Sequence, residues 1–229
     1  MAQAYEAQGR QKERLAALKD TVSAFDRAHL GADKSLGADA AAEAQFDLLE
    51  EQFAAYDKEK IFGSKKVLER SFKDKTSNAK KLRDAYAELV RFKRPEWILA
   101  AFYRKANVLE HFANSIYDAP VPPEIKRLGD EGIGMYQDAL GQKATALESQ
   151  AVDDYVKTLD EARKLHIVNA WTKKTLESLN HYRPKDYPLL KDAKERLVFE
   201  VQSPEPMDGN DGPHAPVTSQ DGKLSGGTK

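Results

Sequence analysis

Cysteine is absent from the 229 residues. That excludes disulfide scaffolds, Cys-ligated zinc, iron–sulfur clusters and thiol catalysis. A charge excess is also missing: 36 Lys and Arg stand against 37 Asp and Glu, a formal net charge of −1. Such a balance excludes a strongly basic nucleic-acid binder and an acidic solvating tail. No apolar run is long enough to span a bilayer. Residues 1–30 carry Arg10, Lys12, Arg14 and Lys19 in place of the apolar core of a secretion signal. Alternating Val/Ile/Thr runs bounded by turns do not occur, so strand signals are missing.

Proline is absent before Pro95, and glycine occurs there only at Gly9, Gly31, Gly37 and Gly63. What fills the chain instead is Ala, Leu, Glu, Lys, Gln and Arg, all good helix formers. Leu15, Leu18, Val22 and Phe25 predict one helix from about Ala2 to His29. Phe46, Leu49, Phe53 and Tyr56 predict a second over Asp39–Ile61, with Asp39 placed to cap it. A third is expected from Ser64 to Phe92, ending at Arg94-Pro95, because the residue before proline avoids the helical region. Pro95-Glu96-Trp97 opens a fourth that runs to Tyr117. Beyond the stiff Asp118–Pro123 link, a short helix over Glu124–Leu128 and a long one from Gly134 to Leu165 follow. A break in the long one is expected near Leu147–Ser149. Asn169 is placed to cap the next helix, Arg183-Pro184 to stop it, and Pro188 to open a last helix through Val201. Residues 203–229 hold four prolines, five glycines and no aromatic residue. A segment of that composition buries too little apolar surface to offset the entropy of ordering it, so disorder is expected.

Tyr103-x2-Ala106 recurs as Tyr136-x2-Ala139, 33 residues later, and Thr172-x2-Thr175 follows after 36 more. Apolar-x3-Tyr recurs as Leu82/Tyr86, Ala113/Tyr117 and Ala151/Tyr155. The period, with small residues where paired helices would approach, resembles the tetratricopeptide repeat of roughly 34 residues. From about Lys81 to Lys194 the chain is similar to the large tetratricopeptide-repeat proteins of myxobacteria and their relatives, some tied to gliding motility and the cell envelope. The residues that carry this likeness include Arg94-Pro95-Glu96-Trp97, His111-Phe112-Ala113, Ala119-Pro120-Val121-Pro122, Asn169-Ala170-Trp171-Thr172 and Arg183-Pro184-Lys185-Asp186-Tyr187-Pro188. The resemblance implies an all-α fold of antiparallel helix pairs stacked as a superhelical solenoid. The chain is expected to divide into an N-terminal helical hairpin over 1–62, tetratricopeptide-like repeats over 63–201 and a disordered Pro/Gly-rich tail over 202–229. The resemblance also implies a non-enzymatic scaffold in a multiprotein assembly, in the cell envelope if a signal has been removed and in the cytoplasm otherwise. The alternative is a structural helical bundle that mediates oligomerisation.

Motifs for chemistry are missing. Neither G-x-S-x-G nor H-E-x-x-H occurs, and His29, His111, His166, His181 and His214 lack metal spacing. Phe62-Gly63-Ser64-Lys65 lacks the earlier glycine of a phosphate loop, and Gly129-x2-Gly132-x-Gly134 is not a dinucleotide fingerprint. No cofactor and no metal are expected. Acidic pairs such as Glu50/Glu51 and Asp153/Asp154 read as solvated helix faces. One charge pattern stands out: eleven basic residues meet four acids between Lys65 and Arg94, while seven acids meet one lysine between Asp39 and Glu59. Either the two helices complement each other, or the basic stretch is a surface for an acidic protein or peptide. Nucleic acid is not the expected partner, since aromatic platforms do not alternate with the lysines. On the second reading the contacts are Lys65, Lys66, Lys80, Lys81, Arg83 and Asn107, with Tyr103 and Tyr136, one repeat apart, lining a groove. Limited proteolysis should remove the residues after Gln202 and leave a resistant core that keeps its helical circular-dichroism signal.

Overall fold

The computed structural model describes residues 1–29, 32 and 37–189. Those residues form helices and connections, with no strand among them. In chain order the helices are α1 (Ala2–Ala7), α2 (Gln11–Ala28), α3 (Gly37–Asp57), α4 (Lys65–Ala87), α5 (Pro95–Tyr117), α6 (Pro123–Lys126), α7 (Gly129–Lys164) and α8 (Ala170–Tyr182), with a 3-10 turn over Glu88–Phe92. The helix expected after Pro188 and the tail expected over 202–229 lie outside the described residues.

Local chemistry explains the boundaries. The single helix expected from Ala2 to His29 is two, because Gly9 adopts a left-handed φ of +68° that no continuing helix tolerates. Between the 3-10 turn and α5, Lys93 is left-handed and Arg94 extended, as Pro95 demands of its predecessor. Pro95 then occupies the first turn of α5, where its missing N–H costs nothing. Asn169 caps α8 as expected: its Oδ1 accepts from the N–H groups of Trp171 (2.9 Å) and Thr172 (3.0 Å). Thr172 Oγ1 accepts the Asn169 N–H in return at 2.8 Å, which completes a capping box. The expected break near Leu147–Ser149 is absent. α7 runs unbroken for 36 residues, about 54 Å, because Ala144, Ala151, Val152, Tyr155 and Leu159 continue one buried stripe through it.

α5 is the hub. Ala106, Asn107, Val108 and Leu109 are consecutive and all buried, so this helix is covered on every side. Pairings between named residues give the directions of its neighbours. Trp97 meets Asp39, Arg104 meets Glu50 and His111 meets Asp57, so α3 runs parallel to it. Tyr103 meets Trp171 and Glu110 meets Tyr182, so α8 is parallel too. Tyr103 meets Tyr155 and Tyr117 meets Glu148, so α7 is antiparallel. α4, joined to α5 by the short turn and stacked on it through Phe72 and Phe112, is antiparallel as well. On the outer side, Leu18 and Val22 of α2 settle on Ala41, Ala42 and Ala44 of α3. Side chains before and after residue 62 share one core: Phe46, Leu49 and Phe53 cluster with Leu82, Tyr86 and Phe112.

The two copies of the Tyr-x2-Ala pattern do not occupy equivalent places. Ala106 is 0% exposed beside Tyr155 and Leu179, whereas Ala139 lies on the surface. Ala106→Leu should therefore overpack the core by about 1–3 kcal/mol and lower Tm by several degrees. Ala139→Leu should leave the melting temperature nearly unchanged. Thermal melts of the two variants side by side check this.

Candidate functional site

Helix α4 buries Leu68, Lys75, Ala79, Leu82 and Tyr86 along one face. That leaves Lys66, Lys73 and Lys80, seven residues apart, on the opposite face with Lys81 beside them. Lys65, Lys66, Lys80 and Lys81 are all exposed, and none makes an ion pair among the described residues. The acids of α3 do not neutralise them. Asp47 and Glu51 go to the buried Arg14 of α2, at 3.7 and 2.8 Å. Asp57 meets His111, and Glu59 accepts from Asn78 Nδ2 at 2.9 Å. One lysine of α4 does reach α3. The buried Lys75 donates to the carbonyls of Tyr56 (3.2 Å) and Glu59 (2.5 Å), closing the C-terminal end of that helix. Arg83 is half-buried and paired with Asp154 of α7 at 2.9 Å.

The two aromatic candidates separate. Tyr103 is in the core between Tyr155 and Trp171, 9% exposed, and so lines no groove. Asn107 is 6% exposed and held by hydrogen bonds on both sides. Both are therefore core residues rather than contact residues: the helix that carries them is enclosed all round. Tyr136 is half-buried on α7, with its hydroxyl 3.5 Å from the Pro120 carbonyl oxygen. It lines a groove of about 320 Å³ between α4 and α7. Phe72 lies level with Lys143, and Arg83 with Asp154, so these two helices run parallel. Leu68 and Phe72 form one wall, Tyr136, Ala139 and Leu140 the other, and Pro122 and Ile125 close one end. Lys65 and Lys143 stand at the rims with Glu69. Lys143 Nζ also sits 5.1 Å from the Phe72 ring centre, a cation–π contact across the groove.

A polar seam through the core was missed. Arg104 donates through Nε to both oxygens of Glu50, at 2.8 and 3.1 Å, and its Nη2 makes a further short contact with Oε2. The same guanidinium donates to Asn107 Oδ1 at 2.8 Å and lies 4.5 Å from the Phe53 ring centre. Asn107 Nδ2 donates to Glu110 at 3.0 Å. Glu110 also accepts from the hydroxyls of Tyr155 (2.6 Å) and Tyr182 (3.1 Å), and Glu50 accepts from Tyr86 at 2.7 Å. Glu50 and Asp154, expected on solvated faces, are thus half-buried partners of arginines. The available signal was Arg104, Asn107 and Glu110 at intervals of three on the most apolar helix, which puts them on one face. No group of three or more potential metal ligands occurs among the described residues. In comparisons with protein-family models, curated proteins and solved structures, nothing matches the chain.

Burial pushes the phenols of Tyr56, Tyr86, Tyr103, Tyr155 and Tyr182 above the ordinary tyrosine range. The carboxylates of Glu50, beside Tyr86, and Glu110, beside Tyr155 and Tyr182, push in the same direction. An unfolded tyrosine ionises near pH 10. The stability these groups contribute is therefore fully present below about pH 10 and is lost as pH rises toward their folded values. Lys75 acts oppositely: burial lowers its pKa, so its contribution grows as pH rises toward the ordinary lysine value. Five phenols outweigh one ammonium, and Tm should fall above about pH 10. The tyrosinate absorbance of these residues should appear together with loss of helix rather than before it. Tyr155→Phe should cost about 1.5–3 kcal/mol, since it removes a donor from a buried carboxylate.

Proposed function

We propose that the chain is a non-enzymatic protein-interaction module built of paired helices in the manner of tetratricopeptide repeats. Its groove between α4 and α7 takes an apolar helix or extended segment with acidic flanks. The observation that carries this reading is the groove itself: Phe72, Tyr136 and Leu140 stay partly exposed between two parallel helices, over the buried Leu68, with Lys65 and Lys143 lining the same groove. A third helix laid along such a seam buries one apolar stripe, the usual way an amphipathic segment is recognised. Carboxylates flanking that stripe would meet Lys65 and Lys143, with Lys66 adjacent. The resemblance to myxobacterial tetratricopeptide-repeat proteins supports placing such a module in a multiprotein assembly.

A second reading, a bundle that oligomerises, is favoured by the start of α7. No residue of that helix is buried before Ala144, while Leu128 and Met135 are 66% and 70% exposed. Sedimentation of the full chain over a range of concentrations separates a monomer from this reading.

The test is titration with fluorescent amphipathic helical peptides that carry either acidic or basic flanks. Replacing Lys65, Lys66, Lys80 and Lys81 by Gln should leave Tm unchanged, because all four side chains are exposed and Gln is a good helix former. Affinity for the acidic peptide should fall, and its association rate should lose salt dependence, since screened charges steer encounter. Ala139→Glu, which adds a carboxylate to an exposed wall position, should abolish binding with the fold intact. Equal binding of acidic and basic peptides by the native chain would refute the charge selection, and binding unaffected by Ala139→Glu would refute the groove.

A further inference from the structure

The connection between α3 and α4 reads Lys58-Glu59-Lys60-Ile61-Phe62-Gly63-Ser64-Lys65-Lys66. Ile61, 3% exposed, anchors it in the core. Phe62, the next residue, is 57% exposed, and Val67, packed against Gly63, is 43% exposed. This turn is built rather than loose. Gly63 has a φ of +101°, and a Cβ there would meet Val67 Cγ1 at 2.7 Å. Only glycine permits both the backbone conformation and the close approach. The Phe62 N–H donates to Ser71 Oγ at 3.3 Å, which ties the turn to α4.

Lysines flank the exposed ring along the chain. Lys58, Lys60, Lys65 and Lys66 are all exposed, and none forms an ion pair among the described residues. Lys58, Lys60, Lys81 and Phe62 border one open concavity of about 710 Å³. Two acids share it. Glu59 is engaged by Asn78 Nδ2 at 2.9 Å, and Asp74 faces Arg70 at 3.7 Å. Between Lys58 and Lys81, nine basic residues stand against three acids.

We infer that this connection docks the protein on an anionic lipid bilayer, with Phe62 and Val67 entering the interface and Lys58, Lys60, Lys65 and Lys66 meeting the headgroups. A protein partner would need a pocket shaped to one protruding ring. A bilayer interface accepts an aromatic side chain at headgroup depth without such a match, and its surface charge attracts neighbouring lysines. One ring alone or a few lysines alone bind weakly. Together their contributions add, since binding strength grows with buried apolar area and with attraction to anionic lipid. The site is separate from the α4–α7 groove in everything except Lys65.

Co-sedimentation of the full chain with phosphatidylcholine vesicles, with and without phosphatidylserine, tests this. The chain should partition onto the phosphatidylserine vesicles only, and high salt should release it. Replacing Lys58 and Lys60 by Gln should weaken partitioning about thirtyfold, at about 1 kcal/mol per lysine. Phe62→Ser should weaken it roughly tenfold, the share of a partly inserted ring. Circular dichroism should show both variants folded, since none of these side chains is in the core. With Phe62→Trp, the indole emission should shift to the blue on phosphatidylserine vesicles beyond any shift of the native chain. Absence of binding to phosphatidylserine vesicles, equal binding to both kinds, or partitioning unmoved by Phe62→Ser would each overturn the inference. So would a Phe62→Ser variant that loses the acidic peptide yet keeps the vesicles. Ala139→Glu, which blocks the groove, should leave vesicle binding intact, so failure of either reading is seen separately.

Discussion

The ion pair between Arg104 and Glu50 organises the rest of the fold. Two half-buried charges cost desolvation energy that their attraction repays only when the remaining donors and acceptors are also satisfied. Here they are engaged from several sides. Glu50 of α3 takes the guanidinium and the Tyr86 hydroxyl of α4, and Arg104 passes on through Asn107 to Glu110, which collects Tyr155 of α7 and Tyr182 of α8. Each long helix around α5 thus attaches a side chain to one polar seam. Apolar packing is tolerant of small slides. A chain of directed hydrogen bonds is not, and it sets the register of five helices at once.

The groove is a consequence of that arrangement. α4 and α7 are both antiparallel to α5 and therefore parallel to each other, and the ion pair of Arg83 with Asp154 joins them. Nearer their N-terminal ends the cation–π contact of Lys143 with Phe72 bridges them. There Leu68, Ala139 and Leu140 line the groove. Phe72, Tyr136 and Leu140 stay partly exposed there, with Lys65 and Lys143 lining the same groove.

Charge follows a similar division of labour. Acids of α3 and of the turn after it are used inward or sideways, by Arg14, Arg104, His111 and Asn78. Among the described residues the exposed Lys58, Lys60, Lys65, Lys66, Lys80 and Lys81 form no ion pair, although the chain as a whole is nearly neutral. A balanced composition hides a polarised surface because pairing depends on which helices are neighbours.

Periodicity, caps and breakers in the sequence determined the helices. Apolar side chains at intervals of three and four, Pro95 at a helix start and Asn169 ahead of Trp171 and Thr172 act within a few residues, so local physics suffices to read them. Gly9 was the local exception, where one left-handed residue divides an otherwise continuous pattern. The basic stretch from Lys65 onward was equally legible, since charge is counted along the chain. Only the tertiary structure decided that Tyr103 and Asn107 are enclosed while Tyr136 is not, and that Ala106 and Ala139 are not equivalent. Sequence spacing places such residues on a face of their own helix, but the enclosure of α5 depends on residues as far as 72 positions away along the chain, and no local rule contains that distance.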